Sequence, residues 1–322
     1  MGKYILKRVL LLIPTLLVIL IAAFALMRMV PGSPVWALLE GEEDVDDERI
    51  WEVEEEMGFH DPIVVQFGRY FVGILSGDWG ESYTNQQPVF KNMVDCWEPT
   101  LLITVYATVI TVVIAIPVGV FCATHRNSVA DYIISTLSTA TMIVPGFIMA
   151  LLLAYFFGFK LGWFPTVGYK NIGEYGLGQA LWSVTLPSFA LGLHHVASLA
   201  RYTRSSMLDV LGQDYIRTAR AKGLSLRKVH YKHALKNTLS IVATTIAGSI
   251  AAMLGGAAVT EKVFNIKGMG TLAVNSLSRR DYNQEQAIVL FMAMLFLVVD
   301  LLMDIMYKAL DPRIEYEYRR AP

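Results

Sequence analysis

Charge is scarce in this chain. Asp, Glu, Lys and Arg make up 17% of its 322 residues, whereas a soluble globular protein carries about 25%. Hydrophobic residues make up 54%, and the mean hydropathy is +0.46. The apolar residues form uninterrupted runs, and about 20 such residues suffice for a helix to cross a bilayer. The composition therefore excludes an ordinary soluble protein and predicts a membrane protein with several spans.

Cysteine and the common catalytic motifs are also lacking. Cys96 and Cys122 lie 26 residues apart, about 39 Å along a helix, which excludes a disulfide between them. No Gly-x-x-x-x-Gly-Lys-Ser/Thr loop is present, so the usual cradle for nucleotide phosphates is missing. A Ser/His/Asp constellation, a zinc-spaced Cys/His cluster and a His-Glu-x-x-His helix are missing too. We therefore expect no catalytic site, cofactor or metal ion in this chain.

Six apolar runs predict six membrane spans. They are Val9–Val30, Leu101–Ala123, Tyr132–Phe157, Leu181–Ala200, Leu239–Val259 and Ala287–Tyr307. Backbone groups cannot stay unpaired in lipid, so each run must be a helix. Prolines at positions 14, 117, 145 and 187 mark candidate kinks in an all-α integral membrane protein.

Lys and Arg predict the orientation. With the amino terminus inside, segments 1–8, 124–131, 201–237 and 308–322 are cytosolic and hold 17 Lys and Arg in 68 residues. The opposite segments hold 9 in 115 residues, and Arg28 falls within the first span. Because cytosolic loops are enriched in Lys and Arg, we expect both termini in the cytosol of a multi-pass membrane protein.

The one large outside segment, residues 31–98, is acidic. It holds 16 Asp and Glu against 3 Lys and Arg, mostly between Glu40 and Glu56. A receptor for cations is one interpretation, and a solvated helix face is the one we favour. No calcium loop fits, because such a loop needs a central Gly and a final Glu at set offsets.

Residues 201–237 form a basic segment between two apolar runs, with nine Lys and Arg against two Asp. Good helix formers predict a helix over Tyr215–Lys222, which Gly223 can end in a left-handed cap. Ser225 can cap a second helix over Leu226–Leu235. Nucleic-acid binding would require aromatic interleaving and a soluble fold, and it is the least favoured interpretation. Attraction of this basic segment to anionic lipid headgroups is a secondary interpretation. Docking onto a cytosolic partner is the preferred interpretation.

The same segment resembles the cytoplasmic coupling loop of ABC-importer permeases. That family carries Glu-Ala-Ala, three residues, Gly, nine residues, Ile, one residue, Leu; here Ala219, Gly223 and Leu235 match, while Arg217 and His233 replace Glu and Ile. The run from Asp214 through Gly223, Asp-Tyr-Ile-Arg-Thr-Ala-Arg-Ala-Lys-Gly, is similar to the dipeptide/oligopeptide branch, which has nickel-type relatives.

Further segments resemble this branch in the same order. They are Leu26–Gly32, Met57–Pro62, Gln66–Tyr70, Ser76–Ser82, Lys160–Pro165, Glu261–Gly270, Arg280–Tyr282 and Leu310–Arg313. The family usually has Trp-Pro where this chain has Ile266-Lys267. These segments are interpreted as structural signatures without a catalytic role.

The resemblance implies a type I ABC-importer permease fold of six transmembrane helices with an extracytoplasmic insert after the first. The domains would be a first helix (1–30), the insert (31–99), a five-helix core (100–310) containing the coupling loop, and a cytoplasmic tail (311–322). The ATPase-coupling residues would be Asp214, Tyr215, Arg217, Thr218, Ala219, Arg220, Ala221, Lys222, Gly223, Leu224, Ser225, His233 and Leu235.

The resemblance also implies partners. They are a second permease subunit, two cytosolic ATPases that bind ATP and Mg²⁺, and an extracytoplasmic substrate-binding protein. Peptides are the expected substrate, and nickel complexes, glutathione and oligosaccharides stay open. Whether the permease pair is homo- or heterodimeric also stays open.

Small residues recur along the fifth span. Gly248, Ala252, Gly255 and Gly256 would allow close helix packing; the resemblance implies that they also line the translocation pathway. Both interpretations stay open.

Asp300 and Asp304 are carboxylates within the sixth span, four residues apart. Intramembrane carboxylates are costly and often functional, so a proton-coupled secondary transporter is a second hypothesis. An ion pair of Asp304 with Lys308 is the preferred interpretation. A membrane enzyme, the third hypothesis, lacks an active site.

Overall fold

A computed structural model describes residues 2–29, 33–39 and 45–310. The chain divides into two compact units, one of residues 1–98 and 267–298 and the other of residues 99–266 and 299–322. The domain bounds expected at residues 30, 99 and 310 stay a prediction. In both units the described residues form helices, and the one bridge between extended residues joins Glu81 and Pro88.

The helices follow one another with short connections. In chain order they are α1 (Gly2–Met29), a 3₁₀ turn (Pro34–Ala37), α2 (Asp47–Glu56), α3 (Ile63–Ser76), α4 (Val89–Thr124), α5 (Val129–Ile143), α6 (Gly146–Leu153) with a π-helical extension (Ala154–Lys160), α7 (Ile172–Leu211), α8 (Asp214–Ala221), α9 (Leu226–Lys228) with a π-helical extension (Val229–Ala234), α10 (Leu235–Val263), α11 (Met269–Ser278) and α12 (Tyr282–Leu310). The prediction of an all-helical membrane fold is confirmed.

In the part of the chain that the structure describes, four helical stretches are long and apolar enough to span a membrane. They are Arg8–Met29, Val89–Thr124, Leu226–Val263 and Tyr282–Ile305. They contain the first, second, fifth and sixth expected spans almost completely. The predicted Leu310–Arg313 signature and the tail beyond it fall mostly outside the described residues, as do Glu40 and the acidic residues next to it.

The third expected span is not one straight helix. α5 and the α6 segment meet at a bend of 104°, at Val144-Pro145. Pro145 has no N–H and disfavours helical backbone at the residue before it, and Val144 is accordingly extended, with φ −73° and ψ 123°. The helices continue through Pro14, Pro117 and Pro187, so of the four candidate kinks the break occurs at Pro145.

The fourth expected span lies inside α7, which is 40 residues long. Among the described helices, α7 is not apolar enough to count as a membrane span by composition. The reason is that Leu181–Ala200 contains two histidines, a proline and several hydroxyl residues. Gly176 interrupts this helix with φ +78°. The count of six spans therefore stays a prediction for this helix and for the bent pair.

In the first unit, α2 supports the interpretation of the acidic segment as a solvated helix face. Asp46 caps the helix by accepting a hydrogen bond from the Arg49 N–H at 2.9 Å. Val53 is the one side chain of α2 that is buried, and most of its carboxylates are exposed.

Asp281 organises the loop before α4 and the start of α12. Its side chain is 1% exposed and accepts hydrogen bonds from the Ser82 hydroxyl, from the Thr84 N–H at 3.3 Å and from the Gln284 N–H at 3.2 Å. Asn283 adds a bond to the Glu81 carbonyl at 3.0 Å. The Ser76–Ser82 and Arg280–Tyr282 signatures are therefore parts of one hydrogen-bonded structure.

Asp281→Ala is expected to destabilise this unit, since it removes the acceptor for three donors in a buried position. At about 1 kcal/mol per lost bond, the loss is about 3 kcal/mol and the midpoint of thermal unfolding falls by several degrees. Thermal unfolding of the purified protein measures it. Asp95→Ala, at an exposed carboxylate, is the control and should leave the midpoint unchanged; equal midpoints for both variants would contradict the role of Asp281.

In the second unit, two other signatures pack into one core. Phe264 and Ile266 are each 1% exposed and pack with Ile103, Val184 and Leu186. Phe164 packs against the same core, and the Phe264 carbonyl accepts a hydrogen bond from the Gly168 N–H at 2.9 Å. Ile266, at the position where the resembling family has Trp, thus fills a buried apolar site.

Candidate coupling site and translocation helix

The predicted coupling helix exists as α8, Asp214–Ala221, against the expected Tyr215–Lys222. It starts one residue earlier because Asp214 already takes helical geometry and accepts hydrogen bonds from the Arg217 guanidinium at 3.3 Å and the Thr218 hydroxyl at 3.0 Å. Tyr215 ties this helix to α10, because its hydroxyl accepts a hydrogen bond from Asn237 Nδ2 at 2.8 Å.

Gly223 ends α8 as expected, in the left-handed region with φ +77°. Its N–H donates to the Arg220 carbonyl at 2.9 Å, and the Leu224 N–H donates to the Ala219 carbonyl at 3.4 Å. This pattern is a glycine C-cap, which a residue with a Cβ adopts only at a cost. The direction of the chain after α8 therefore depends on Gly223.

The second predicted helix differs from expectation at both ends. Ser225 occupies the cap position, but its side chain makes no capping hydrogen bond, so the expected hydroxyl cap is wrong. The helix does not stop at Leu235 either; α9, its π-helical extension and α10 run on to Val263. The apolar residues after Leu235 extend the same helix, so the part of the loop from Leu226 onward and the fifth expected span form one continuous helix.

One side of α8 is anchored in an apolar cluster. Ile216 is 0% exposed and Ala219 is 8% exposed. Both belong to a cluster with residues from the ends of α4 and α7 and from the π-helical extension, namely Val120, Ala123, Met207, Val210, Val229 and Ala234. Leu224 and Leu235, two of the predicted coupling residues, pack against it. Direct packing therefore connects α8 to three other helical segments.

The opposite side of α8 is exposed and basic. The exposed predicted residues are Asp214, Tyr215, Arg217, Thr218, Arg220, Ala221, Lys222, Gly223 and Ser225, while His233 is half-buried. The structure thus brings the predicted coupling residues together as one anchored helix with a cationic outer surface and a turn. Such a surface suits docking of a partner rather than burial within this chain.

A buried ion pair that the sequence did not reveal joins α5 to α7. Arg204 Nε lies 2.7 Å from Asp131 Oδ1, and Arg204 Nη2 lies 2.7 Å from Asp131 Oδ2. The side chain of Asp131 is 3% exposed and that of Arg204 is 27% exposed. Asp131 also accepts from the Asn127 N–H at 3.0 Å, and its own N–H donates to the Ser128 hydroxyl that caps α5. Arg204 counted only as a basic loop residue in the sequence, since no local pattern identifies its partner.

Glu261 is a second buried acidic group that sequence reasoning missed. It is 0% exposed and accepts a hydrogen bond from the Thr100 hydroxyl at 2.5 Å, which joins the end of α10 to α4. In the sequence, the sign of this buried carboxylate was a charged residue directly after an apolar run.

The small residues of α10 lie on an open surface. Gly248, Ala252, Gly255 and Gly256 are exposed. A Cβ built on Gly248 or Gly255 would meet no atom within 4 Å, and one on Gly256 would meet only Leu191 at 3.8 Å. Close packing within this chain therefore does not account for them. The surface is available to a second subunit or to a pathway, so the pathway interpretation stays a prediction.

Asp300 and Asp304 are half-buried on α12 and both have interaction partners. The Lys308 side chain lies outside the described residues, so the expected Asp304–Lys308 pair stays a prediction.

His194 and His195 have ring centroids 5.8 Å apart with planes at 82°. Within the described part of the chain, no three His, Cys, Asp or Glu residues converge as metal ligands.

Two family profiles match most of the chain. The profile described as binding-protein-dependent transport system inner membrane component matches residues 115–316. The profile for the N-terminal part of a binding-protein-dependent transport system membrane component matches residues 1–104. Their junction falls within α4.

Curated relatives and a solved structure agree with these profiles. The glutathione transport system permease protein GsiC of Salmonella paratyphi A is 38% identical over 98% of this chain and 100% of its own length. GsiC of Escherichia coli K12 is 37% identical over the same shares. A chain of the inward-facing MetNI methionine ABC transporter has a TM-score of 0.58 at 18% identity, covering 70% of this chain and 99% of that chain. This last likeness concerns the fold alone.

Proposed function

We propose that this chain, which belongs to the binding-protein-dependent inner-membrane components of ABC importers, forms half of a translocation pathway for peptide-like solutes. It is a permease subunit without catalytic activity of its own. The observation that carries the proposal is α8, a helix whose apolar side is anchored by Ile216 and Ala219 and whose basic side is exposed. Such a helix is suited to receive force from a cytosolic partner.

Partner ATPases would supply the energy. Two such subunits, binding ATP and Mg²⁺, would hold the exposed sides of the coupling helices. When they close on ATP, α8 moves, and the cluster of Val120, Met207 and Val229 passes that motion to α4, α7 and α10. Because packed interfaces switch between discrete arrangements, the pathway would change from inward to outward facing, and hydrolysis would reset it.

A second permease subunit would complete the pathway. The exposed small residues of α10 at positions 248, 252, 255 and 256 support a surface on which polar cargo or a facing helix can come close to the backbone. An extracytoplasmic binding protein would deliver the solute. Both termini would lie in the cytosol, as the distribution of Lys and Arg favours.

Peptides are the proposed substrate class, and glutathione, itself a tripeptide, agrees with the name of the GsiC relatives. Nickel complexes and other small solutes are the alternative within the same family. The test is uptake by the purified complex in proteoliposomes with its binding protein, ATP inside, and labelled glutathione, dipeptide or chelated nickel outside. ATP-dependent uptake of either peptide supports the proposal; uptake of nickel alone refutes the substrate class but not the permease role.

The proton-coupled alternative makes a separate prediction for the two carboxylates of α12. Asp300→Asn should leave ATP-driven uptake unchanged, because the partner ATPases rather than a proton relay supply the energy. Uptake with and without a protonophore measures it, with Asp304→Asn as the matched variant. ATP-independent uptake by the lone chain that is lost in Asp300→Asn would instead favour the secondary transporter.

A further inference from the structure

Arg28 is the one basic residue that the distribution of charge did not explain. It lies in the last turn of α1, within the first span, where an arginine is costly and usually has a function. Its guanidinium carbon lies 4.8 Å from the ring centroid of Phe24, 4.9 Å from that of Phe59 and 5.5 Å from that of Tyr282. Arg28 is thus enclosed by three aromatic rings.

The side chain of Arg28 is held in place but its charge is not neutralised. Nε donates to Gln66 Oε1 at 2.9 Å, and Gln66 is itself fixed by donating to the carbonyls of Phe59 at 2.7 Å and Asp61 at 2.8 Å. Among the described residues no carboxylate pairs with Arg28. The neighbouring Arg69 differs, because it pairs with Asp61 at 2.6 Å.

Arg28 lines a cavity of about 270 Å³ in the first unit, which also has aromatic and polar walls. Tyr70 and Gln286 line the same cavity, and the Tyr70 hydroxyl and Gln286 Nε2 are buried without a hydrogen-bond partner in the described part of the chain. Burial raises the pKa of Tyr70 to about 12, so its hydroxyl is a donor at physiological pH. A buried donor without an acceptor is costly, and here two of them accompany an unneutralised cation.

We infer that this cavity is a binding site for a small carboxylate carried on an apolar group. The carboxylate accepts hydrogen bonds from the free N–H groups of Arg28, in the bidentate manner typical of arginine, and from both Tyr70 and Gln286. The apolar group packs against Phe24 and Trp79. The volume fits one small solute, close to the lower limit of ligand pockets in proteins. The site lies in the unit that holds the extracytoplasmic insert and is independent of the proposed transport pathway.

The probe is hippurate, which joins a carboxylate to a benzoyl group, and its neutral amide, hippuramide, is the matched control ligand. Binding is measured by saturation-transfer NMR on the full chain in phosphatidylcholine nanodiscs, where no anionic headgroup competes. We expect saturable hippurate binding with a dissociation constant on the order of 1 mM, and binding of hippuramide weaker by about tenfold or more.

Arg28→Gln should abolish hippurate binding, whereas Lys91→Gln removes a positive charge from an exposed residue outside the cavity lining and should leave binding unchanged. Tyr70→Phe removes one hydroxyl and should weaken binding about threefold to tenfold. This variant tests the site if Arg28→Gln fails to fold. Absence of saturable binding up to about 10 mM hippurate, equal binding of hippuramide, or unchanged binding in both Arg28→Gln and Tyr70→Phe would overturn the inference.

Discussion

Replacing Gly223 by proline is expected to abolish ATP-driven uptake while membrane insertion and binding-protein docking continue. Proline cannot take the φ of +77° observed at this position, because its ring holds φ near −65°. It also removes the N–H that donates to the Arg220 carbonyl at 2.9 Å. At a cost of about 3 kcal/mol or more, the population of the native turn falls about a hundredfold. Ile216 and Ala219 would then no longer hold α8 in its native orientation.

The matched control for this variant is Gly212→Ala. Gly212 lies at the other end of the same loop with φ −79°, and an added Cβ there meets its nearest atom, the Asp209 carbonyl oxygen, at 3.4 Å. It should therefore transport normally. The measurement pairs uptake with ATPase activity of the complex in proteoliposomes. We expect ATPase activity without uptake for Gly223→Pro. Normal uptake by this variant would show that the turn after α8 does not couple ATP hydrolysis to transport.

Breaking the Asp131–Arg204 ion pair is expected to produce the second large effect, on stability as well as on uptake. Removal of one partner leaves the other buried and unpaired, which costs about 3–5 kcal/mol for a fully buried pair. Because Arg204 keeps a 27% exposed side chain, we expect the lower end, about 3 kcal/mol, for Asp131→Asn. The change also removes the bidentate ion pair that joins α5 to α7.

A double-mutant cycle tests this prediction. Asp131→Asn, Arg204→Gln and the combined variant are compared by thermal unfolding and uptake, with Arg201→Gln, an exposed residue of the same helix, as the control. Each single variant should be destabilised, whereas the combined variant should recover part of the loss because no unpaired charge is left. Additive effects of the two single changes would contradict a direct stabilising interaction between the two side chains.

Local chemistry was sufficient for the coupling helix. Helix formers over residues 215–222 and a glycine that tolerates positive φ predicted α8 and its left-handed end correctly, since both depend on neighbours within four residues. Ser225 shows the limit of such reasoning. A serine in the cap position predicted a hydroxyl cap, but whether the hydroxyl turns toward the helix depends on surroundings that local sequence does not contain.

Proline positions were equally ambiguous in the sequence. Four prolines were candidates for kinks, yet the pronounced break occurs at Pro145, where the chain bends by 104°. A proline removes one hydrogen bond in every helix, and the packing around each helix decides whether the bond is replaced locally or the helix breaks.

The sequence by itself determined that this is a helical membrane protein, where most of its spans lie, and that residues 214–223 form a basic helix ending in a glycine turn. These properties follow from the length of apolar runs, the distribution of Lys and Arg, and backbone preferences, all of which are local. Only the tertiary structure decided that Asp131 pairs with Arg204, that Asp281 joins residues 82 and 84 to α12, and that Arg28 faces aromatic rings rather than a carboxylate. Apart from Phe24, which is four positions from Arg28, these partners lie between 31 and 254 positions apart in the chain, so only folding brings them within hydrogen-bond distance or ring contact.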